Sequence, residues 1–388
     1  TSTTAGYYNI IAKADGNDMI VEVNENNNTK YSSTIKIGPD LVVSALTIPS
    51  TAGAGTSISV TDTTKNGGAG EAGASTTSFY LSTDTTIPVG AQPIASRPVG
   101  TIAAGATNQA TTSVTIPSGT ASGAYYLIAR ADDGKAVGEL NEDNNIYSKS
   151  ILIGPDLAMS TVSVSPTAAG VGITITIMDT TKNNGPGTAA ASTTRFYLST
   201  DTSLEGSDAL LTSRAIPALL SGATSSGSTA VAIPTGTLSG YYYIIAKADG
   251  NDLIVEINED NNTKFSSTIK IGPDLSVSAL TVPTSAGAGT SITVTDTTKN
   301  NGAGEAGAST TSFYLSTDTT IPVGAQPIAS RPVGTIAAGA TNIGTTTVTI
   351  PSGTVLGAYY LIARADDGNA VGELIEDNNT QYRSITIK

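Results

Sequence analysis

The sequence predicts an all-β protein of tandem immunoglobulin-like, Greek-key β-sandwiches with about seven strands each. Three observations carry this: a long internal repeat, short runs of β-branched and aromatic residues separated by Gly, Pro and Asn, and no segment with sustained 3.6-residue periodicity. Gly-Pro-Asp-Leu recurs at Gly38–Leu41, Gly154–Leu157 and Gly272–Leu275. Full units therefore run 39–154, 155–272 and 273–388. The first and third are nearly identical (type A), and the middle one diverges (type B). Residues 1–38 repeat the tail of the middle unit at an offset of 234, so Thr34–Gly38 returns as Thr268–Gly272. They are expected to hold only the last strands of a B-type unit, and a lone hairpin of that kind is marginal in water. The expectation is a native object longer than this sequence, with the array running on in the same chain as the simpler reading and strands from another molecule as the other.

In the first full unit the strand candidates are 41–48, 56–64, 75–82, 109–116, 124–131 and 147–153, each rich in Val, Ile, Thr, Tyr or Phe. A further segment near Ile94–Ile102 belongs at an edge, because Pro93 and Pro98 cannot serve a central strand. Turns fall at Asn66-Gly67-Gly68, Ala104-Gly105, Pro117-Ser118-Gly119 and Asp133-Gly134. Tyr125, with Tyr8, Tyr242 and Tyr359 as its equivalents, sits where a tyrosine corner is expected.

Composition narrows the chemistry. The 388 residues include no Cys and no His, which removes Ser-His and Cys-His nucleophiles and zinc or haem ligation by those side chains. A formal charge of −13 repels phosphate backbones, so nucleic acid is not expected as a partner. Apolar residues make up 39%, too many for a disordered chain, and no run approaches the roughly 20 residues of a membrane helix. No basic and apolar leader precedes Thr1, so the chain reads as a mature or excised segment without membrane insertion.

The runs GPDL, TTKN, GASTTSFYLSTD, IPSGT, YYLIARAD and ELNEDNN together resemble the CARDB domain, a cell adhesion related module of bacteria and archaea. The resemblance spans essentially the whole chain, unit by unit. It implies an extracellular, cell-surface location, Ig-like sandwiches in tandem, and a structural or adhesive role without catalysis. Ile375 stands in the last unit where the first has Asn141, so that position is dispensable to the loop.

The strongest polar signal is the loop before the last strand. It carries Asp132, Asp133, Glu139, Glu142, Asp143, Asn144 and Asn145 in the first unit. Its counterparts are Asp249, Asp252, Glu256, Glu259, Asp260, Asn261 and Asn262, then Asp366, Asp367, Glu373, Glu376, Asp377, Asn378 and Asn379. Residues 1–38 carry Asp15, Asp18, Glu22, Glu25, Asn26 and Asn27. Such oxygen ligands suit Ca²⁺. Ig-like topology places this loop beside the Pro-Asp-Leu junction, so Asp40, Asp156 or Asp274 is expected to join the loop of its own unit and a bound Ca²⁺ to stiffen the link. The competing reading is a solvated acidic turn, since the spacing does not fit an EF-hand.

Other signals are weaker. Asp201, Glu205 and Asp208 cluster in the middle unit, but the first unit has Asp84, Pro88 and Ala91 there, which points to turn chemistry. Lys65, Lys182 and Lys299 recur at a strand exit and read as solvated ends rather than as cross-linking groups. Asn27, Asn261 and Asn378 head N-x-Thr glycosylation sequons in what reads as an exposed turn. The glycine-rich stretch 67–73 lacks the Lys-Ser/Thr of a phosphate loop. The expected function is a structural repeat of an extracellular fibre, stalk or surface layer whose partners are copies of itself. The alternative is an adhesin or carbohydrate-binding array recognising surface glycans, against which the absence of Trp as a sugar platform counts. No enzyme is expected.

Overall fold

The computed structural model describes residues 3–388, and those residues form strands, turns and bends with no helix. The leading segment holds four short strands, β1 (Gly6–Tyr8), β2 (Ile11–Lys13), β3 (Thr29–Tyr31) and β4 (Ile35–Ile37). β1 pairs antiparallel with β4, and β2 with β3. The first full unit follows as β5 (Leu41–Thr47), β6 (Thr51–Ala52), β7 (Ser57–Asn66), β8 (Ser75–Ser82), β9 (Ala95–Val99), β10 (Thr107–Thr115), β11 (Gly123–Arg130) and β12 (Ile146–Ile153).

These strands divide into a three-stranded sheet in the order β10-β7-β5 and a five-stranded sheet in the order β6-β12-β11-β8-β9. All pairings are antiparallel except that β6 runs parallel to β12. This is an Ig-like sandwich, and the same sheet order recurs over 157–271 and 275–387. The six strand candidates lie within two residues of the observed strands, and the edge segment near Ile94–Ile102 forms the shorter β9. β9 carries Pro98 and pairs only with β8, as a residue without an N–H requires. The two-residue β6 shows no periodicity in the sequence because it spans a single period of two.

Alternation along the strands builds the core. On β7, Ile58, Val60, Asp62, Thr64 and Asn66 face inward while Ser57, Ser59, Thr61, Thr63 and Lys65 face outward. The inward row thus changes from apolar to polar along the strand. Each unit has its own hydrophobic cluster, centred on Phe79, Phe196 or Phe313, and none of these clusters includes residues of another unit.

The inward polar residues tie the two sheets together. Arg97 on β9 donates to both oxygens of buried Asp62 on β7, at 2.7 and 2.6 Å, and to Asn108 Oδ1 at 2.8 Å. Arg214–Asp179 and Arg331–Asp296 repeat the bidentate pair. Thr64 and Thr77 hydroxyls meet across the sandwich at 3.0 Å. A buried charge persists only when it is paired in this way. At the corner position, Tyr8 OH donates to Thr4 O and Tyr242 OH to Leu238 O, while Tyr125 and Tyr359 pack against their cores.

Candidate functional site

The sequence-predicted loop closes on itself and on the junction between units. Asp132 adopts a left-handed φ of 43°, and its carboxylate accepts the N–H groups of Ala136 (3.0 Å) and Val137 (2.9 Å). That cap turns the chain so that Glu139 points back into the sandwich. Glu139 Oε2 accepts the Leu41 N–H at 2.5 Å, and Oε1 accepts Asn145 Nδ2 at 3.1 Å. The Leu140 N–H donates to Pro39 O at 2.9 Å, and Asn144 Nδ2 to Asp40 Oδ1 at 3.1 Å.

Asn66 completes the arrangement from β7. Its Oδ1 accepts the Asp40 and Gly68 N–H groups, and its Nδ2 donates to Gly70 O and Ile102 O. The Gly70 N–H then reaches Gly38 O at 3.0 Å. The Pro-Asp-Leu segment is therefore held from both sides. Added side chains have no room: a Cβ on Gly68 would sit 2.5 Å from Gly38 O.

The same staple recurs in each unit. Glu256 accepts the Leu157 N–H and Glu373 the Leu275 N–H. Asn262 and Asn379 donate to those glutamates at 3.0 Å, and Asn261 and Asn378 reach Asp156 (2.8 Å) and Asp274 (2.9 Å). Desolvation by burial pushes the Glu139, Glu256 and Glu373 carboxyls up to about 7, against the lowering effect of the leucine N–H and the asparagine amide.

The remaining predicted residues share the loop but serve separate donors. Asp133 and Asp367 accept the Tyr80 and Tyr314 hydroxyls at 2.7 and 2.6 Å and lie 3.6 Å from Arg130 and Arg364. Burial, reinforced by that carboxylate, pushes both tyrosine hydroxyls up to about 12. Glu142, Glu259 and Glu376 each accept the N–H of the glutamate three residues earlier. Asp143 and Asp260 donate their N–H to Asn141 and Asn258, a bond Ile375 cannot offer to Asp377. Asp249 caps Ile254, Asp366 caps Ala370 and Val371, and Asp252 pairs with Lys247 at 2.8 Å.

The Ca²⁺ expectation meets a different geometry. The structure brings Asp40, Asp156 and Asp274 to the loop of their own units as expected, but through asparagine amides. Most loop carboxylates are already accepting N–H groups, and among the described residues no group of three or more acidic side chains is placed to hold a metal ion. These hydrogen bonds join the loop and the junction into a staple.

The weaker signals also find places. Asp201 and Asp208 accept the Ser203 and Glu205 N–H groups at 2.8 Å, which is turn chemistry. Lys65 is exposed, and Lys182 and Lys299 are half-buried at strand ends. The sequon residues Asn261 and Asn378 are half-buried, not exposed, with Nδ2 donated to the junction aspartates. Sequence reasoning read Asn66 only as a turn residue, and passed over Asn183 and Asn300 beside those lysines and the Asp–Arg clamps. The signal was present: TTKN repeats Asn as faithfully as Lys, at the end of the inward-facing row.

No curated protein matches the chain. Among solved structures, the crystal structure of the CARDB domain of the PF1109 protein from Pyrococcus furiosus, in complex with di-metal ions, is 23% identical. It overlaps 30% of this chain and 89% of its own, with a TM-score of 0.24. A solution structure of the same domain is 21% identical over 30% of this chain and 95% of its own, also at 0.24. A red sea bream transglutaminase structure is 9% identical over 59% of this chain and 31% of its own, at 0.31. The CARDB family profile matches residues 38–149, 154–266 and 272–383, and the chain belongs to the CARDB family, an adhesion-related family of bacteria.

Proposed function

We propose that this chain is a structural repeat protein of an extracellular fibre, stalk or surface layer, a spacer of fixed geometry that associates with copies of itself. The observation that supports the reading is the junction. Only Gly154, Pro155 and Asp156 separate the last strand of the first unit from the first strand of the next. Consecutive units also touch backbone to backbone. A Cβ on Gly53 would lie 2.4 Å from Pro186 O, and one on Gly170 would lie 2.8 Å from Gly304 Cα. Ser239 Oγ donates to Gly372 O across the second junction at 2.6 Å. A short connection stapled on both sides leaves little freedom to swivel, which suits a spacer.

Small-angle scattering of the full chain tests the spacer. A rod-like particle whose maximum dimension is constant between low and high salt is expected, and a broad distribution of dimensions overturns it. Sedimentation velocity over a range of concentrations tests self-association, and a single monomeric species at every concentration removes that part. Labelling of intact cells with an antibody against the chain tests the surface location.

A further inference from the structure

We propose that copies of this chain join at the open edge of the three-stranded sheet, where Thr107–Thr115 or its counterpart adds antiparallel to the same edge of a second copy. This rests on the self-association in the reading above and names the surface that carries it. β10 ends its sheet and pairs only with β7, and Thr224–Ala232 and Thr341–Thr349 end theirs in the same way. Ala106 O accepts the Asn66 N–H and the Ile116 N–H donates to Thr56 O, so the even-numbered residues between them turn their backbone groups toward β7. In an antiparallel ladder the alternate residues point theirs the other way. Thr107, Gln109, Thr111, Ser113 and Thr115 therefore present N–H and C=O away from the sheet, where no strand or loop backbone among the described residues pairs with them. Their side chains are exposed.

The other edges of each unit are blunted. β5 is bulged between Val43 and Ala45, and the bulge returns between Met159 and Thr161 and between Val277 and Ala279. β6 is two residues long, as are Ala168–Ala169 and Ser285–Ala286. β9 has Pro98 and Ala329–Val333 has Pro332, while Ala209–Ile216 is out of register with its neighbour beyond Phe196 and sends Arg214 inward to Asp179. Short length, bulges, proline and inward charge are the devices that keep a sheet edge from pairing with another chain. The β10 edge has none of them. In all three units it runs nine residues in unbroken register, without proline and without a charged side chain.

A second copy is the occupant that this edge fits. Antiparallel addition of an edge to itself is isologous, so one surface supplies both halves. Centred on Thr111, it sets Thr107 opposite Thr115 and Gln109 opposite Ser113, and each facing pair exchanges two backbone hydrogen bonds. The equivalent centres are Ser228 and Thr345. Hydroxyl pairs of the kind this brings together already link β10 to β7, as Thr61 does with Thr111 at 2.7 Å. A neutral edge also lets two copies of a chain of net charge −13 meet without like charges directly opposed.

The test is sedimentation velocity of the full chain over a range of concentrations, for the parent and three variants. Thr111→Pro with Ser228→Pro and Thr345→Pro removes N–H groups that point away from the sheet, a change an edge strand tolerates, and should leave the chain monomeric where the parent associates. Thr111→Lys with Ser228→Lys and Thr345→Lys, or the same three positions changed to Glu, sets like charges face to face and should weaken association about tenfold or more. Mixing the lysine and glutamate chains should restore it, because opposite charges then face each other, and a folding defect would not recover in this way. A parent that is monomeric at every concentration overturns both this proposal and the self-association beneath it. A parent that associates, beside variants that melt as it does and associate equally well, overturns the edge assignment alone. So does a lysine and glutamate mixture no more associated than either chain by itself.

Discussion

The leading segment and the end of the middle unit have almost the same sequence and the same local structure, but opposite surroundings. In both, a corner tyrosine donates to the carbonyl four residues earlier, Tyr8 to Thr4 and Tyr242 to Leu238. Both break the last strand at a serine whose Oγ takes a ladder N–H, Ser32 from Ile10 and Ser266 from Ile244. Their burial differs completely. Ile10 is 63% exposed where Ile244 is 0%, Ile11 is 59% where Ile245 is 1%, and Ile35 is 38% where Ile269 is 0%. Strand pairing is thus a local property of these residues, whereas burial comes from the sheet packed over them, which in the middle unit is formed by Leu157–Ser165, Thr174–Asn183 and Thr224–Ala232.

The sharpest break of this comparison is a pair of identical substitutions. Ile244→Ala should destabilise the middle unit by about 2–5 kcal/mol, because it removes buried methylenes and leaves a cavity. Ile10→Ala should stay within about 0.5 kcal/mol, since its side chain already meets water. Hydrogen exchange read unit by unit checks both without assuming two-state unfolding of a multidomain chain. Equal effects at the two positions would mean that the leading segment has a core of its own.

Next in size is the clamp that the middle unit owns and the leading segment does not. Arg214→Met leaves Asp179 buried without its partner and should cost about 3 kcal/mol in that unit. Protection should fall in the middle unit's strands and stay unchanged in residues 3–38. The double variant Asp179→Leu with Arg214→Met should recover much of the loss, because no charge is then left unpaired.

A smaller effect separates the units through pH. Folding raises the Glu256 carboxyl from its ordinary 4.5 to about 7, so between those values the folded state binds more protons than the unfolded one. The contribution of Glu256 to the stability of the middle unit should therefore be largest below about pH 4.5, fall as pH rises toward 7, and level off above it. Glu256→Gln keeps an acceptor for the Leu157 N–H and should flatten that slope, as read from exchange at a series of pH values. An unchanged slope would assign the pH dependence elsewhere.

The smallest energetic effect belongs to the junction. Gly53→Val forces a side chain against Pro186 O and should alter the angle between the first two units, with little change in the stability of either. Scattering from a chain carrying this substitution should show a changed maximum dimension. An unaltered profile would show that the backbone contact does not set the angle.

Much of this was legible in the residues. Repeats placed the units, alternation placed the strands, and proline placed β9 at an edge, because each of these is a local steric or periodic constraint. The acidic loop and its nearness to the Pro-Asp-Leu segment were legible too. The roles inside it were not. Glu139 and Leu41 are far apart along the chain, and no spacing announces that one accepts the other's N–H. The Asp62–Arg97 clamp escaped notice for the same reason: it spans two sheets, and inward-facing charges on alternating strands look like ordinary pattern breaks until a partner is seen.

The sequence by itself determined that the chain is all-β, where its strands and turns fall, and that His and Cys chemistry is absent. These follow from side-chain sterics, period-2 alternation and composition, which act over a few residues. Only the tertiary structure decided that the loop carboxylates close a staple with N–H groups and that Asn66 holds the junction. Those outcomes depend on which distant backbone and side-chain groups are brought within hydrogen-bond or van der Waals reach, and this is a property of the packed sheets rather than of any one strand.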